Sequence, residues 1–142
     1  MIDLQKVIYE RMSGDSDMML LIATGVGIFN DGTVPPDFQY NDKPIAVIEA
    51  PVHNSDIDTF DENIRDETIG IIFIHKPQGN TLPITLASET ARKLFKNWGP
   101  VDIDDGRLIN CTVSGPVPVQ TRDPTLGARA IYVNLIVKEN EE

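Results

Sequence analysis

Leu4, Val7, Ile8 and Met12 recur three and four positions apart, with Gln5, Lys6, Glu10 and Arg11 between them. That spacing predicts an amphipathic helix of about three turns. Asp3 stands where a carboxylate suits the positive end of a helix, and Ser13-Gly14 ends the run. Asp15 and Asp17 then lead into Met18, Met19, Leu20, Leu21 and Ile22, which predicts a second helical piece over 16–24. Gly25 is the expected left-handed cap. The two pieces make a helical hairpin with one shared apolar side.

Residues 29–41 are punctuated by Asp31-Gly32 and Pro35-Pro36 and read as a loop. Pro44 opens a strand over 45–50, with Val47 and Ile48 on opposite faces. The stretch 51–67 turns acidic and fits a β-hairpin arm or an exposed loop. In 68–75, Ile69, Ile71 and Phe73 share one face while Ile72 and Ile74 take the other. A run apolar on both faces belongs inside a covered sheet.

A longer helix starts near Pro83 and carries one stripe of Ile84, Ala87, Ala91, Leu94, Phe95 and Trp98, stopped by Gly99-Pro100. Asp104-Asp105-Gly106 predicts a turn and 108–113 a strand, whose end is limited to edge pairing by Pro116 and Pro118. A loop over 120–127 leads to a last strand, 128–137. There Ile131, Val133, Leu135 and Val137 share a face, with Tyr132 and Ile136 on the other. Lys138 and the acidic Glu139, Glu141 and Glu142 read as a solvated tail. The fold class expected is α+β: a mostly antiparallel sheet of about four strands packed by one long helix, with an N-terminal helical hairpin, in a single domain over 1–142.

Charge narrows the classes of function. The 142 residues carry a formal charge of -10, and the twelve Lys and Arg are scattered. Neither a phosphate-binding surface for nucleic acid nor a docking face for anionic membrane follows from such a pattern. Cys111 stands alone, so no internal disulfide is expected and a reducing cytosol fits. No run approaches the eighteen or so apolar residues of a membrane span. MIDLQKVIYERM lacks the apolar centre of a signal peptide.

Candidate chemistry is thin. Counting from Asp102, the glycine and glutamate that an EF-hand loop needs at its sixth and twelfth places are missing, since Gly106 falls fifth and Val113 twelfth. Asp56, Asp58 and Asp61 fit solvated loop acids better than a divalent-ion site. Gly25-Val26-Gly27 follows a helix rather than a strand, the wrong context for a dinucleotide turn. Cys111 is expected to face the core, where a thiol is inert, with His53 exposed in a loop and His75 ending its strand at the sheet edge. Trp98 reads as a core anchor. No catalytic, cofactor-binding or metal-binding residue is assigned.

Taken as a whole, the chain resembles the small tail-completion proteins of long-tailed phages. The likeness is carried by MIDLQKVIYERM with GIFND, by IAVIEAP and RDETIGIIFIHKP, by ITLASETARKLFKNW, and by RDPTLGARAIYVNLIVKE. That family includes tail terminators, or tail-to-head joining proteins, with relatives in prophages and gene-transfer agents. The resemblance implies a structural virion protein with no enzymatic activity and no cofactor. Made in the host bacterial cytoplasm, it would sit at the head-proximal end of the tail. It would pair with itself in a ring, typically of six, and meet the tail-tube protein on one side and a head-completion or connector protein on the other.

Duplex DNA would pass through such a ring without specific binding, and carboxylates suit a bore that must not hold it. Asp56, Asp58, Asp61, Glu62, Asp66 and Glu67 are the channel-facing candidates. Pro116, Pro118, Arg122 and Asp123 are the subunit-interface candidates, within a stretch (114–126) expected to order on assembly. The competing readings are a head-completion adaptor or tail-tube protein, a small cytosolic enzyme built on Cys111, and an acidic protein-binding module.

Overall fold

The structure, a computed structural model, describes residues 2–22, 27–30, 34, 35, 38, 40, 43–56, 64–76, 81–103, 105–121, 123 and 125–140, with backbone alone at 55 and 56. The elements in chain order are α1 (Leu4–Ser13), α2 (Ser16–Leu21), β1 (Ile28–Asn30), β2 (Ile45–Ile48), β3 (Val52–Asp56), β4 (Ile64–His75), α3 (Leu82–Phe95), β5 (Val101–Ile103), β6 (Gly106–Val119) and β7 (Gly127–Glu139).

Local chemistry explains the helices. Asp3 accepts from Lys6 N at 3.2 Å and Asp15 from Met18 N at 3.1 Å, each satisfying an amide that the helix itself leaves unpaired. Gly14 N closes α1 on the Glu10 carbonyl at 3.0 Å. In α3 the buried face is Ile84, Ala87, Ser88, Ala91 and Phe95. Its middle is small, and the Ser88 hydroxyl is satisfied by the Thr85 carbonyl at 3.1 Å, so a polar residue can lie at the bottom of that face.

The sheet departs from expectation. Among the described residues it has seven strands rather than about four, and it is mixed: β1 pairs β2 in parallel, while the other pairings there are antiparallel. The order is β1-β2-β4-β7-β6-β5, with β3 beside the lower half of β4. Strand makes up 47% of the described residues and helix 27%, so short helices decorate a sheet rather than one long helix packing a small one.

The strands not expected are β1 and β5, of three residues each, whereas β3 is one side of the β-hairpin arm that 51–67 allowed beside an exposed loop. Segments of three residues show no periodicity, and β1 and β5 lie next to Gly, Pro and Asp that read as loop. All three strands lie at the borders of the sheet. Asp31-Gly32, Pro36, Gly25 and Asp104, which carried the turn and cap expectations, lie outside the described residues.

The spine is β4 against β7, twelve consecutive pairs from Ile64↔Lys138 to His75↔Gly127. Two placements change as a result. His75 ends β4, as expected, but β4 is interior, flanked by β2 and β7, and His75 is buried. Glu139 belongs to β7 rather than to a solvated tail.

One face of the spine carries Ile69, Ile71, Phe73, Ile131, Val133, Leu135 and Val137 beneath α1, α2 and α3, in one core with Leu108 and Cys111. Met12, Met18 and Ile22 join it, so the two N-terminal helices do share an apolar side. The opposite face has a second, smaller core of Phe29, Ile45 and Val47 under Val34, Phe38 and Tyr40. That cover reaches only the upper strands. Phe29, Phe38 and Tyr40 meet edge to face, with ring centroids 5.3 and 5.1 Å apart.

Candidate interaction surfaces

Alternation along β4 separates the two acids that sequence places side by side. Glu67 faces the helices and is buried. Its Oε1 lies 3.4 Å from Arg65 Nη1 and 3.2 Å from His53 Nδ1. Arg65 Nη2 also pairs with the Glu139 carboxylate, which accepts from Ile2 N at 3.2 Å. Two carboxylates therefore share one guanidinium at the lower end of the helix-side core. Fixed together, such groups satisfy one another; removing one leaves a charge stranded.

Asp66 faces the other way. There the Asn54 amide donates to Asp66 Oδ1 at 3.1 Å and to Thr68 Oγ1 at 2.7 Å. Asn134 lies in the same cluster, its amide nitrogen donating to the Glu67 carbonyl at 3.0 Å and to Asp66. Higher on this face Gly70 is flanked by the Glu49 carboxylate and the Tyr132 ring. A Cβ on Gly70 would collide with the Glu49 carboxylate and lie 3.3 Å from Tyr132 Cε1. Glycine is what lets the two side chains meet over the strand. The result is an open sheet face of Asn, Thr and Tyr with Asp66 held at its border.

Of the other expected channel acids, Asp56 ends β3, while Asp58, Asp61 and Glu62 lie outside the described residues. Pro116 and Pro118 sit inside β6, which runs on to Val119 instead of stopping near 113. Gly115 makes that continuation work: its φ is +95°, and a Cβ there would lie 2.8 Å from the Ala130 carbonyl oxygen. Arg122 lies outside the described residues.

Asp123 is fully exposed and organises a turn. Its Oδ1 accepts from Thr125 Oγ1 at 2.7 Å and from Thr125 N at 2.9 Å, and those hydrogen bonds hold its carboxyl below the usual range. Burial first, and Asp123 second, raise the Tyr40 hydroxyl, so this turn lies near the cover of the second core.

The thiol is silent. Cys111 faces the helices, and burial pushes it up to about 12 against a small opposing pull from Arg11. A nucleophilic cysteine needs the reverse shift. Arg11 is engaged elsewhere, its Nη2 donating to the Leu94 carbonyl at 3.0 Å and its guanidinium stacked 4.9 Å from the Trp98 ring. Trp98 lies past the end of α3 and packs half-buried against the core. Among the described residues no cluster of three His, Cys, Asp or Glu side chains could hold a metal ion. No helix there is long and apolar enough to cross a membrane.

Sequence reading missed the Arg65–Glu67–Glu139 cluster and the free edges of the sheet. The first had a signal: Arg65 and Glu67 stand two apart in a strand and therefore share a face.

Similarity to known proteins lies in the backbone. No protein-family model matches the chain, and no curated protein matches it. A chain of a solved structure described as the virion of a native gene transfer agent particle superposes with a TM-score of 0.77. The alignment covers 95% of this chain and 94% of that one. The two chains share one fold. At 12% identity that is a statement about architecture, and it extends over both chains nearly end to end.

Proposed function

We propose that this protein is a structural component of a phage or phage-derived virion. It closes into a ring on the finished tail tube and forms the joint with the head, with DNA passing through the bore. The observation that supports this best is the end-to-end fold likeness to a virion chain of a gene transfer agent, with no large unmatched segment on either side. Two further features agree. Among the described residues the sheet has edge strands with no ladder partner on their outer side. The chain brings a charge of -10 to any assembly, which disfavours holding duplex DNA.

The acids proposed for the bore are Asp56, Asp58, Asp61, Glu62 and Asp66. Glu67 is left out because its carboxylate is committed to Arg65 and His53. Native mass spectrometry and electron microscopy of the concentrated protein test the reading. Closed single-layer rings that fail to retain duplex DNA at low salt are expected. Long stacked tubes would make it a tube protein instead, and a persistent monomer would remove the ring altogether.

A further inference from the structure

β2 and β3 lie one after the other along the same side of β4, and they are held there in opposite ways. β2 pairs with residues 71–74, and all four of its residues are buried. β3 pairs with residues 65–68, and Pro51, Val52, His53 and Asn54, which lead into and through it, are exposed. Val52, the apolar side chain of β3, is 63% exposed. β3 therefore draws almost nothing from the apolar burial that fixes β2.

The fastenings of β3 are its ladder and polar side chains on both faces. Toward the helices, His53 Nδ1 lies 3.2 Å from Glu67 Oε1. Toward the open face, the Asn54 amide donates to Asp66 Oδ1 at 3.1 Å and to Thr68 Oγ1 at 2.7 Å. The ladder is interrupted between these two residues and the end of the strand. Its register shifts between His53 and Ser55, and Asn54 is the bulge residue without a rung of its own. Asn54 grips β4 by its side chain instead.

We propose that β3 is a strap, which lifts off β4 as a unit while the rest of the sheet stays folded, with Asn54 as its latch. An element with little buried apolar surface opens at a small fraction of the cost of global unfolding. When β3 lifts, its hydrogen bonds to β4 are exchanged for hydrogen bonds to water, so each contributes little to holding it down. β4 does not depend on β3 for its place, because twelve rungs tie it to β7. Lifting leaves the backbone of 65–68 without a partner on that side among the described residues. The strap thus decides whether the lower half of β4 is an interior strand or an exposed edge. This device follows from the fold alone and holds whether or not the chain closes into a ring.

Native-state hydrogen exchange tests it, measured by mass spectrometry on peptides covering 45–48 and 52–56, in urea concentrations below the unfolding transition. The β2 amides should exchange through global unfolding, at rates that climb with urea. The β3 amides should exchange about a hundredfold faster and nearly independently of urea, the mark of an opening that exposes little surface. Asn54→Ala should quicken exchange over 52–56 by about tenfold and leave it independent of urea.

A staple supplies the second arm. In a Cys111→Ala background, Val52→Cys with Thr68→Cys puts two thiols on one rung, within reach of a disulfide. The oxidised chain should lose most of the fast exchange over 52–56, and a reductant should restore it. β3 amides that follow those of β2 in both rate and urea dependence would show a single cooperative unit and overturn the strap. Exchange as fast as in an unfolded peptide also overturns it, since the latch would then hold nothing. Fast exchange left unchanged by the staple does the same, because it would come from fraying within β3 and not from lifting of the whole strand.

Discussion

The same three strands, β4, β7 and β6, present two faces that differ in nearly every respect. Toward the helices they carry Ile, Val, Leu and Phe in unbroken rows, closed at the lower end by Arg65, Glu67 and Glu139. Toward the other side, below the cover of Phe38 and Tyr40, they carry Gly70, Thr68, Asn134, Thr112 and a half-exposed Tyr132. One face holds the fold together and the other is left available. Alternation of period two is all that divides them, so substitutions one residue apart should differ sharply in cost.

The largest contrast is expected between Phe73→Ala and Tyr132→Ala. Phe73 is fully buried under the helices, and its truncation should cost about 3–5 kcal/mol. Tyr132 rests half-exposed on the open face, and its loss should remain under about 1 kcal/mol. Urea unfolding followed by tryptophan fluorescence measures both. Equal costs would mean that the open face is a second core, and the division drawn between the faces would be wrong.

The acidic neighbours give the next contrast. Arg65→Met strands the buried Glu67 carboxylate and frees Glu139, with an expected loss of about 3 kcal/mol, the low end for an ion pair broken on one side. Asp66→Asn on the open face keeps a hydrogen-bonding side chain and should change stability by less than about 0.5 kcal/mol. A double substitution, Arg65→Met with Glu67→Leu, should recover much of the first loss. No recovery would show that Arg65 acts through packing of its stem rather than through charge.

Long-period features of this fold were legible in the residues. Leu4, Val7, Ile8 and Met12 do face the core, as do Ile84, Ala87, Ala91 and Phe95, and the two faces of 68–75 were read correctly from alternation. What escaped was set by tertiary pairing. β5 is three residues whose strand character comes from lying beside Gly106 to Leu108. β1 has its place from parallel partners eighteen positions away, Ile28 beside Ala46, which no local pattern encodes. Glu139 looked like solvated tail because acids in a terminal run usually are; Arg65 across the β4–β7 ladder is the reason it is not. The interaction surfaces were legible only in outline. Proline marked the upper edge of β6, but that β6 is outermost beyond Leu108 among the described residues follows only from the sheet order.

Gly70 sharpens the comparison at smaller scale, since neighbouring side chains crowd the space a Cβ would take there. Gly70→Ala drives a methyl toward the Glu49 carboxylate and the Tyr132 ring. The Glu49 carboxylate is the far end of a flexible chain and can swing aside, so the expected loss is about 1 kcal/mol, the low end for overpacking. Glu49→Ala should cancel most of it. If Gly70→Ala is as damaging with Glu49→Ala as without, the crowding comes from the backbone or from Tyr132.

Asp123 offers the smallest effect, because it is exposed and tied to its turn only through Thr125. Those hydrogen bonds favour the ionised carboxylate, so its folded pKa lies below the ordinary 3.8. A group depressed on folding stabilises the native state above its unfolded pKa, and that contribution fades as pH falls through the folded value. The melting temperature of the native chain should therefore exceed that of Asp123→Asn slightly at pH 6, and the two should converge as pH falls below the ordinary 3.8 and the carboxylate is protonated. Every other carboxylate is present in both chains, so the difference isolates Asp123. A gap that stays constant from pH 7 to pH 2.5 would mean that the turn depends on the shape of the side chain at 123 and not on its charge. The face bearing this turn would then keep its conformation in acid.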